Sequence, residues 1–467
     1  NTDPIYGVEL DPETLMKKGE PVGLIQGDPF SKGFERVGEN NSTLPLSKEE
    51  CLARAEGYLK QKGSSLDMIP EAVRPMLLGM FSNAPYIEGA WMDKYNGKYY
   101  LQYACPGTQY NTYGDGVYVS DSPFGPFKLA ENNPYSYKPG GFFTGAGHGS
   151  TMEDLNGNIW HISTMRISMN HIFERRVGLW KAGYDKDGEL FCNQRYGDWP
   201  IAVCEEKELH GESDAGNAMD PWADPKWYLL SYQKKATASS FCEGKGPELI
   251  VNENNRNWWR AADHTPQWVE VDLGEIMDVH AVQMNFADDH IEMDPPGEIR
   301  GFEQARYIEE RDLPCRYLLK ASADGVNYDT LLDASEQTID LSHDFYVCEE
   351  GHPYRYVRLE ILEVPYGLNP CISGLRVFGI GNGTKPQVPV YMAERIGKLD
   401  MKISIDESQD WNAQGFNILW GSAPDKLYHS WLTYEKEQVI GALVAGRSYY
   451  VRVDAFNENG ITEGQVQ

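Results

Sequence analysis

The 467 residues include eight cysteines, but no CxxC pair and no dense cysteine spacing, so neither a zinc site nor a disulfide scaffold is indicated. Positive charge is also scarce. Lys plus Arg total 42 against 70 Asp plus Glu, and the net charge of -28 repels nucleic acid and anionic membranes at long range. No apolar run approaches the roughly 18–20 residues that span a bilayer, and no charged-then-apolar leader precedes residue 20. These absences leave neutral partners, carbohydrates among them. With 41% apolar and 12% aromatic residues the chain can bury several cores, and its length suggests about three domains.

Short stretches with period-two alternation, separated by Asn-Gly and Asp-Gly turns, argue a mostly β protein; "KYYLQYA" and "WVEVDLG" are clear examples. One segment reads differently. In "SKEECLARAEGYLKQKG" Ser47 and Glu50 make a capping box, Leu52, Ala55 and Leu59 share a face, and Gly63 can end the helix. Residues 44–80 are therefore expected to be a helical insertion. An internal repeat is more informative: Asn96-Gly97 in "DKYNGKYYLQY" recurs as Asn156-Gly157 in "EDLNGNIWHIS", 60 residues on, and "DKDGELF" at 185–191 is a fainter third copy. A four-stranded unit of roughly this period predicts propeller blades, about three of them before residue 230.

Glu88 lies eight residues before Asn96, and His148, in "TGAGHGST", lies eight before Asn156. If both occupy corresponding places on successive blades, both face the central channel. Gly147 and Gly149 permit close backbone approach beside His148, whose imidazole could then reach a water or ion on the axis. Glu88 sits between Ile87 and Gly89 and near Trp91, among apolar neighbours that favour a protonated carboxyl. Trp91 offers a stacking face. The competing reading makes Glu88 a turn cap, His148 a satisfied buried histidine and Trp91 a core residue.

"IEGAWM" followed by "NGKYYLQYA", then "GDGVYVSDSPFGPF", then "GAGHGS" resembles the catalytic five-bladed propeller of glycoside hydrolase family 43. The resemblance runs from Asn1 to about residue 204. It implies an inverting xylosidase or arabinofuranosidase in which Glu88 is the general acid and His148 holds a central water or metal ion. The segment "ERRVGLWKAGYDKDG" implies a substrate-contacting arginine at Arg175 or, with a one-residue slip, Arg176. Inversion needs one carboxylic acid and one carboxylate about 6.5–9.5 Å apart. By the resemblance the base and a second, tuning aspartate lie ahead of Asn1, so the chain is expected to be a fragment lacking its base. Asp3 and Asp28 precede prolines without the expected turn and strand, and neither is assigned a role.

Downstream, "KKATASSF", "PQWVEVDLG", "YLLKASADGVNYDTL" and "YRYVRLEILE" resemble a factor V/VIII type C (discoidin) domain over 234–381, a β-sandwich often used to bind carbohydrate. Val269, Val271 and Leu273 alternate with charges, as do Val357, Leu359 and Ile361, which predicts two half-buried strands. Within "SADGVNY" a plain turn is the preferred reading over a sialidase Asp-box. Trp258 and Trp259 are adjacent, so at most one can be a sugar platform. By the resemblance, Glu253 and its neighbouring Asn residues could hold a structural calcium. After the turn-rich "GIGNGTKPQVP", residues 386–467 resemble a fibronectin type III domain, with Trp420 and Tyr450 as core anchors and no chemistry of its own.

The resulting expectation is an all-β chain: a partial five-bladed β-propeller over 1–230 followed by two β-sandwich domains. Its function is expected to be that of a glycoside hydrolase, secreted, periplasmic or cell-surface. It would act on a carbohydrate substrate, with no nucleic acid partner, no membrane-spanning segment and no organic cofactor. Calcium or another ion is expected at the propeller centre and in the discoidin-like domain. The alternative is a non-catalytic carbohydrate-binding protein with a degenerate propeller.

Overall fold

In a computed structural model of the chain, the residues described are 4–166, 175–201, 224–289, 313–341, 343–406 and 412–467. An antiparallel hairpin of β1 (Ile5–Leu10) and β2 (Lys17–Ile25) comes first. Helix α1 (Lys48–Gln61) starts at the capping box, in which the Glu50 N–H donates to Ser47 Oγ at 3.2 Å and the Ser47 N–H donates to Glu50 Oε2 at 2.9 Å. It buries Cys51, Ala55 and Leu59, one side of an i, i+4, i+8 stripe. Helix α2 (Arg74–Phe81) follows, with Tyr58 of α1 against Phe81 at a ring separation of 5.5 Å.

Asn96 and Gly97 both have positive φ, 44° and 79°, the geometry of a two-residue hairpin turn matched to strand twist. That turn joins β3 (Glu88–Tyr95) to β4 (Lys98–Cys105), and β5 (Gly114–Ser120) and β6 (Lys128–Leu129) complete a four-stranded antiparallel sheet in sequence order. A second sheet of the same kind follows, from β7 (Gly147–Glu153), β8 (Ile159–Arg166), β9 (Arg175–Tyr184) and β10 (Leu190–Asn193). The two pack face to face, as propeller blades do, through a core that includes Tyr100, Val117, Tyr135, Met165 and Trp180.

The stretch "DKDGELF" is not a third blade. It is the turn between β9 and β10 of the second sheet, where Asp185 Oδ1 accepts from the Asp187 and Glu189 N–H groups at 2.9 Å each. Its turn chemistry resembles that of the blade-opening hairpins because every tight β-turn needs it. Among the described residues there are thus two four-stranded blades, where the repeat suggested about three.

The next sheet has eight strands: β11 (Tyr228–Leu229), β12 (Lys235–Ala238), β13 (Trp259–Arg260), β14 (Gln267–Phe286), β15 (Arg316–Ser322), β16 (Asp329–Asp333), β17 (His343–Glu363) and β18 (Cys371–Ile380). The alternation read in the sequence appears as buried Val269, Val271 and Leu273 on β14 and buried Val357, Leu359 and Ile361 on β17, with Val269 opposite Leu359 and Val271 opposite Val357. "SADGVNY" is the β15–β16 turn, with Asp324 Oδ1 accepting from the Val326 and Asn327 N–H groups.

The last region packs a three-stranded sheet, β19 (Tyr391–Arg395), β20 (Met401–Ile405) and β23 (Glu437–Ile440), on a four-stranded one. The latter comprises β21 (Gly415–Gly421), β22 (His429–Thr433), β24 (Tyr450–Asn457) and β25 (Gly460–Thr462). Trp420 is fully buried, but Tyr450 is 41% exposed. Val451 and Val453 point inward from β24, so period-two alternation turns Tyr450 outward.

The regions share their cores. Leu101 and Tyr103 of β4 lie in one apolar cluster with Ile403, Ile418 and Trp420. At the junction of all three regions Arg376 of β18 is completely buried. Its guanidinium donates to Glu253 (2.7–3.1 Å), to Asp198 (Oδ2 at 3.2 Å and the backbone oxygen at 2.5 Å) and to Gln283 Oε1 (2.7 Å). Lys138 Nζ lies 3.0 Å from Asp198 Oδ1, and Tyr434 O–H donates to Glu253 Oε2 at 3.4 Å. Burial alone would raise the Asp198 carboxyl, but the Lys138 and Arg376 charges outweigh it and hold it below the usual carboxylate range.

Candidate active site

Strands β3 and β7 open in the same way. In β3 the pairing steps from Glu88–Ala104 to Trp91–Gln102, and in β7 from Gly147–Thr164 to Ser150–Ile162, so each carries a bulge at its head. Gly89 and His148 fill the same bulge position with the same left-handed backbone, φ 57° and 55°. His148 therefore corresponds to Gly89, and Glu88 to Gly147, one residue away from the correspondence that counting predicted. The cause is the loop length: Tyr95 pairs with Lys98 across a two-residue turn, whereas Glu153 pairs with Ile159 across a longer loop.

The shift sets the His148 ring against Gly89, the residue after Glu88. A Cβ on Gly89 would lie 2.7 Å from His148 Cδ2 and 2.8 Å from its Cγ, so the imidazole occupies the space that a side chain at 89 would take. His148 is exposed and Glu88 is half-buried. The Tyr113 O–H, from the residue just before β5, donates to Glu88 Oε1 at 3.3 Å. Burial, then the Glu88 and Asp115 carboxylates, push the Tyr113 phenol well up, with Arg175 opposing; it stays a hydrogen-bond donor at any working pH.

The His148 bulge is held from beneath. Asp115, buried in β5, accepts from the His148 N–H at 2.8 Å and the Gly149 N–H at 3.0 Å, and its Oδ2 lies 3.1 Å from His161 Nε2. From His161 a buried chain continues through the Tyr135 hydroxyl (2.8 Å) to Thr151 (2.8 Å) and Gln102 (2.9 Å), and on to Asp93 (2.7 Å). Asp93 Oδ1 in turn accepts from Trp91 Nε1 at 2.9 Å. Burial raises the Asp93 carboxyl, and its hydrogen bonds with Trp91 and Gln102 partly offset the rise. The indole of Trp91 is 43% exposed, so it is a surface ring with a fixed N–H rather than a core residue. Tyr113, Asp93, Asp115 and His161 escaped the sequence reading; the available signal was a carboxylate between Gly114 and Gly116 in an otherwise apolar strand.

Arg175 and Arg176 diverge from the start of β9. The Arg175 charge acts on Tyr113, next to Glu88, whereas Arg176, with burial as the larger cause, depresses His343 in β17. Among the described residues no group of three or more His, Cys, Asp or Glu side chains is placed to hold a metal ion, and the Asp115 oxygens beside His148 face N–H donors. Glu253, the carboxylate expected at a calcium in the second region, is committed to Arg376. Trp259 is wholly buried, and Trp258 lies under Lys245 Nζ, 4.0 Å from the ring centroid.

Residues 55–190 match the family model "Glycosyl hydrolases family 43". Three curated proteins align with parts of this chain. A "Beta-D-galactofuranosidase xynD" of Aspergillus niger is 36% identical over 72 residues, covering 15% of this chain and 17% of that protein. A "Beta-xylosidase" of Xylanibacter ruminicola is 34% identical over 142 residues, 27% and 41% of the two chains. A "Xylosidase/arabinosidase" of Bacteroides ovatus is 31% identical over 112 residues, 22% and 33%. The chain thus spans less than half the length of each of these relatives. A solved "Glycoside hydrolase" aligns over 63% of this chain and 60% of its own, at 19% identity and a TM-score of 0.32. A chitosan-binding module from a Paenibacillus sp. IK-5 chitosanase/glucanase aligns over 32% of this chain and 99% of its own, at 22% identity and a TM-score of 0.25.

Proposed function

We propose that the chain provides the acid side of an inverting glycoside hydrolase that releases terminal arabinofuranosyl or xylosyl units from plant-type oligosaccharides or polysaccharides outside the cytoplasm. The observation that carries this reading is the half-buried Glu88, bonded by the Tyr113 hydroxyl, with the His148 imidazole against the next residue, Gly89, and the exposed Trp91 indole on the same strand, within the segment that matches family 43. Glu88 protonates the leaving oxygen, and Tyr113 holds its carboxyl in place. Trp91 stacks on a sugar ring, His148 orients a water or a hydroxyl, and Arg175 rather than Arg176 faces the substrate. Inversion also needs a carboxylate to activate water. Asp115 and Asp93 already hold buried donors, so the base is assigned to a part of the protein outside the described residues. The second region fits a discoidin-like sugar-binding role. The third, with its three-plus-four strand order, fits a fibronectin type III-like support.

The test compares the full-length protein, base included, with its Glu88→Gln variant on xylo- and arabino-oligosaccharides and on activated aryl glycosides. Turnover of the natural linkages should fall roughly 10²–10⁴-fold, with aryl substrates suffering less and sugar binding retained. Binding without turnover by wild type would favour a carbohydrate-binding protein instead.

A further inference from the structure

A cleft of about 550 Å³ lies between the lead-in to β12 and the third region. None of its lining residues belongs to the blades that carry Glu88 and His148. Its composition is particular. Buried Phe416 forms an apolar floor, and Tyr232 and Tyr434 form one wall, stacked at 4.1 Å between centroids and 25° between planes. Amide side chains make up most of the rest.

These amides are not equivalent. Asn457 is structural, its Nδ2 donating to the Thr384 and Asn412 oxygens at 2.9 and 2.8 Å. Gln414 is different: its Nε2 reaches Glu458 Oε2 at 3.4 Å, while its Oε1 is buried with no hydrogen-bond partner among the described residues. A buried acceptor left unsatisfied destabilises a fold unless something answers it. Of the charged residues that line the cleft, Lys234 Nζ pairs with Glu458 Oε2 at 2.8 Å, and Lys436 adds one further positive charge.

We propose that this cleft is a saccharide-binding site for a short neutral oligosaccharide, separate from the reaction centre and independent of the reading given above for Glu88. A sugar ring has apolar C–H faces and a hydroxyl rim. Tyrosine faces suit the first and side-chain amides the second. A turn of the Gln414 side chain that brings its buried Oε1 to the cleft lets a sugar hydroxyl satisfy the orphaned acceptor, and the half-buried Tyr232 gives the ring a face. The amide rim disfavours purely apolar ligands.

The experiment is a calorimetric and NMR titration of the full chain in a Glu88→Gln, Trp91→Ala background, with xylotetraose, arabinotriose and chitotriose as probes. At least one probe should bind and shift the signals of Tyr232 and Tyr434. Gln414→Ala and Tyr232→Ala should each weaken that binding roughly tenfold, as the loss of a central contact does. Asn459→Ala, a change at the half-buried rim, guards against misfolding of the tyrosine variant and should weaken binding less. Absence of binding by all three probes, or binding indifferent to Gln414→Ala, overturns the proposal. Hydrolysis by the protein with wild-type Glu88 reads out the reaction centre separately, so either reading can fail alone.

Discussion

At position 89 one missing methyl decides where an imidazole sits. Gly89→Ala would place a Cβ 2.7 Å from His148 Cδ2 on a backbone with φ of 57°, where a non-glycine residue costs about 1 kcal/mol or more. The expected result is a lower melting temperature and a His148 ring displaced from Glu88, seen as changed His148 signals by NMR and a fall in turnover larger than the loss of stability explains. A Gly89→Ala protein with an unmoved His148 and full activity would show that the contact is incidental. Glu88 and His148 could be picked out in the sequence because a lone polar residue among glycines and apolar neighbours is conspicuous. Their exact alignment could not, because one extra residue before Asn156 shifts β7 without changing the Asn-Gly signature. Asp115 was hidden for a different reason: Asp-Gly reads as a turn, and only the buried amides of His148 and Gly149 reveal that its carboxylate caps a bulge.

Among the elements, β22 carries a group that ties stability to pH. Burial drives the His429 imidazole down to about 3, its hydrogen bond with Pro134 opposing and the Arg447 charge assisting. The unfolded chain takes up a proton near 6.5 and the folded chain does not, so the contribution of His429 is complete above that value and is lost as pH falls from there toward 3. Urea midpoints measured at pH 7, 5.5 and 4 should fall with acidity, and His429→Gln should reduce that fall. An unchanged pH slope would mean that the ring is protonated or solvated when folded. Helix α1 was legible element by element, since capping box and stripe are local. The third blade was not: turn residues repeat wherever chains reverse, and only strand pairing tells a new sheet from the end of an old one. Tyr450 failed similarly, because an aromatic in an alternating strand points inward or outward according to a register that its neighbours, Val451 and Val453, settle.

For the whole molecule the Arg376 cluster is the controlling feature. Arg376→Met would leave Glu253 a buried carboxylate without its cation and Asp198 with Lys138 alone, and breaking such a buried pair typically costs about 3–5 kcal/mol. Chemical denaturation should show that loss. It should also show the single transition expected of shared cores splitting, with second-region and blade fluorescence no longer coincident. Coincident transitions with a midpoint near wild type would show that the apolar clusters alone hold the regions together. Sequence resemblance marked out the three regions because each has its own strand pattern. It was silent on their union, since Lys138, Asp198, Glu253 and Arg376 lie as much as 238 positions apart and none stands in a recognisable motif.

That union limits how the parts can be inherited. Many appended sugar-binding modules behave as beads on a string, free to be shuffled between unrelated enzymes by recombination. Here a crossover between Trp199 and Tyr228 would hand the new host a β-sandwich whose buried Arg376 has lost one of its two carboxylate partners and leave the donor with Asp198 held by Lys138 alone. Lineages that keep this arginine should therefore keep the neighbouring blade with it, and the three regions should spread through genomes as one cassette.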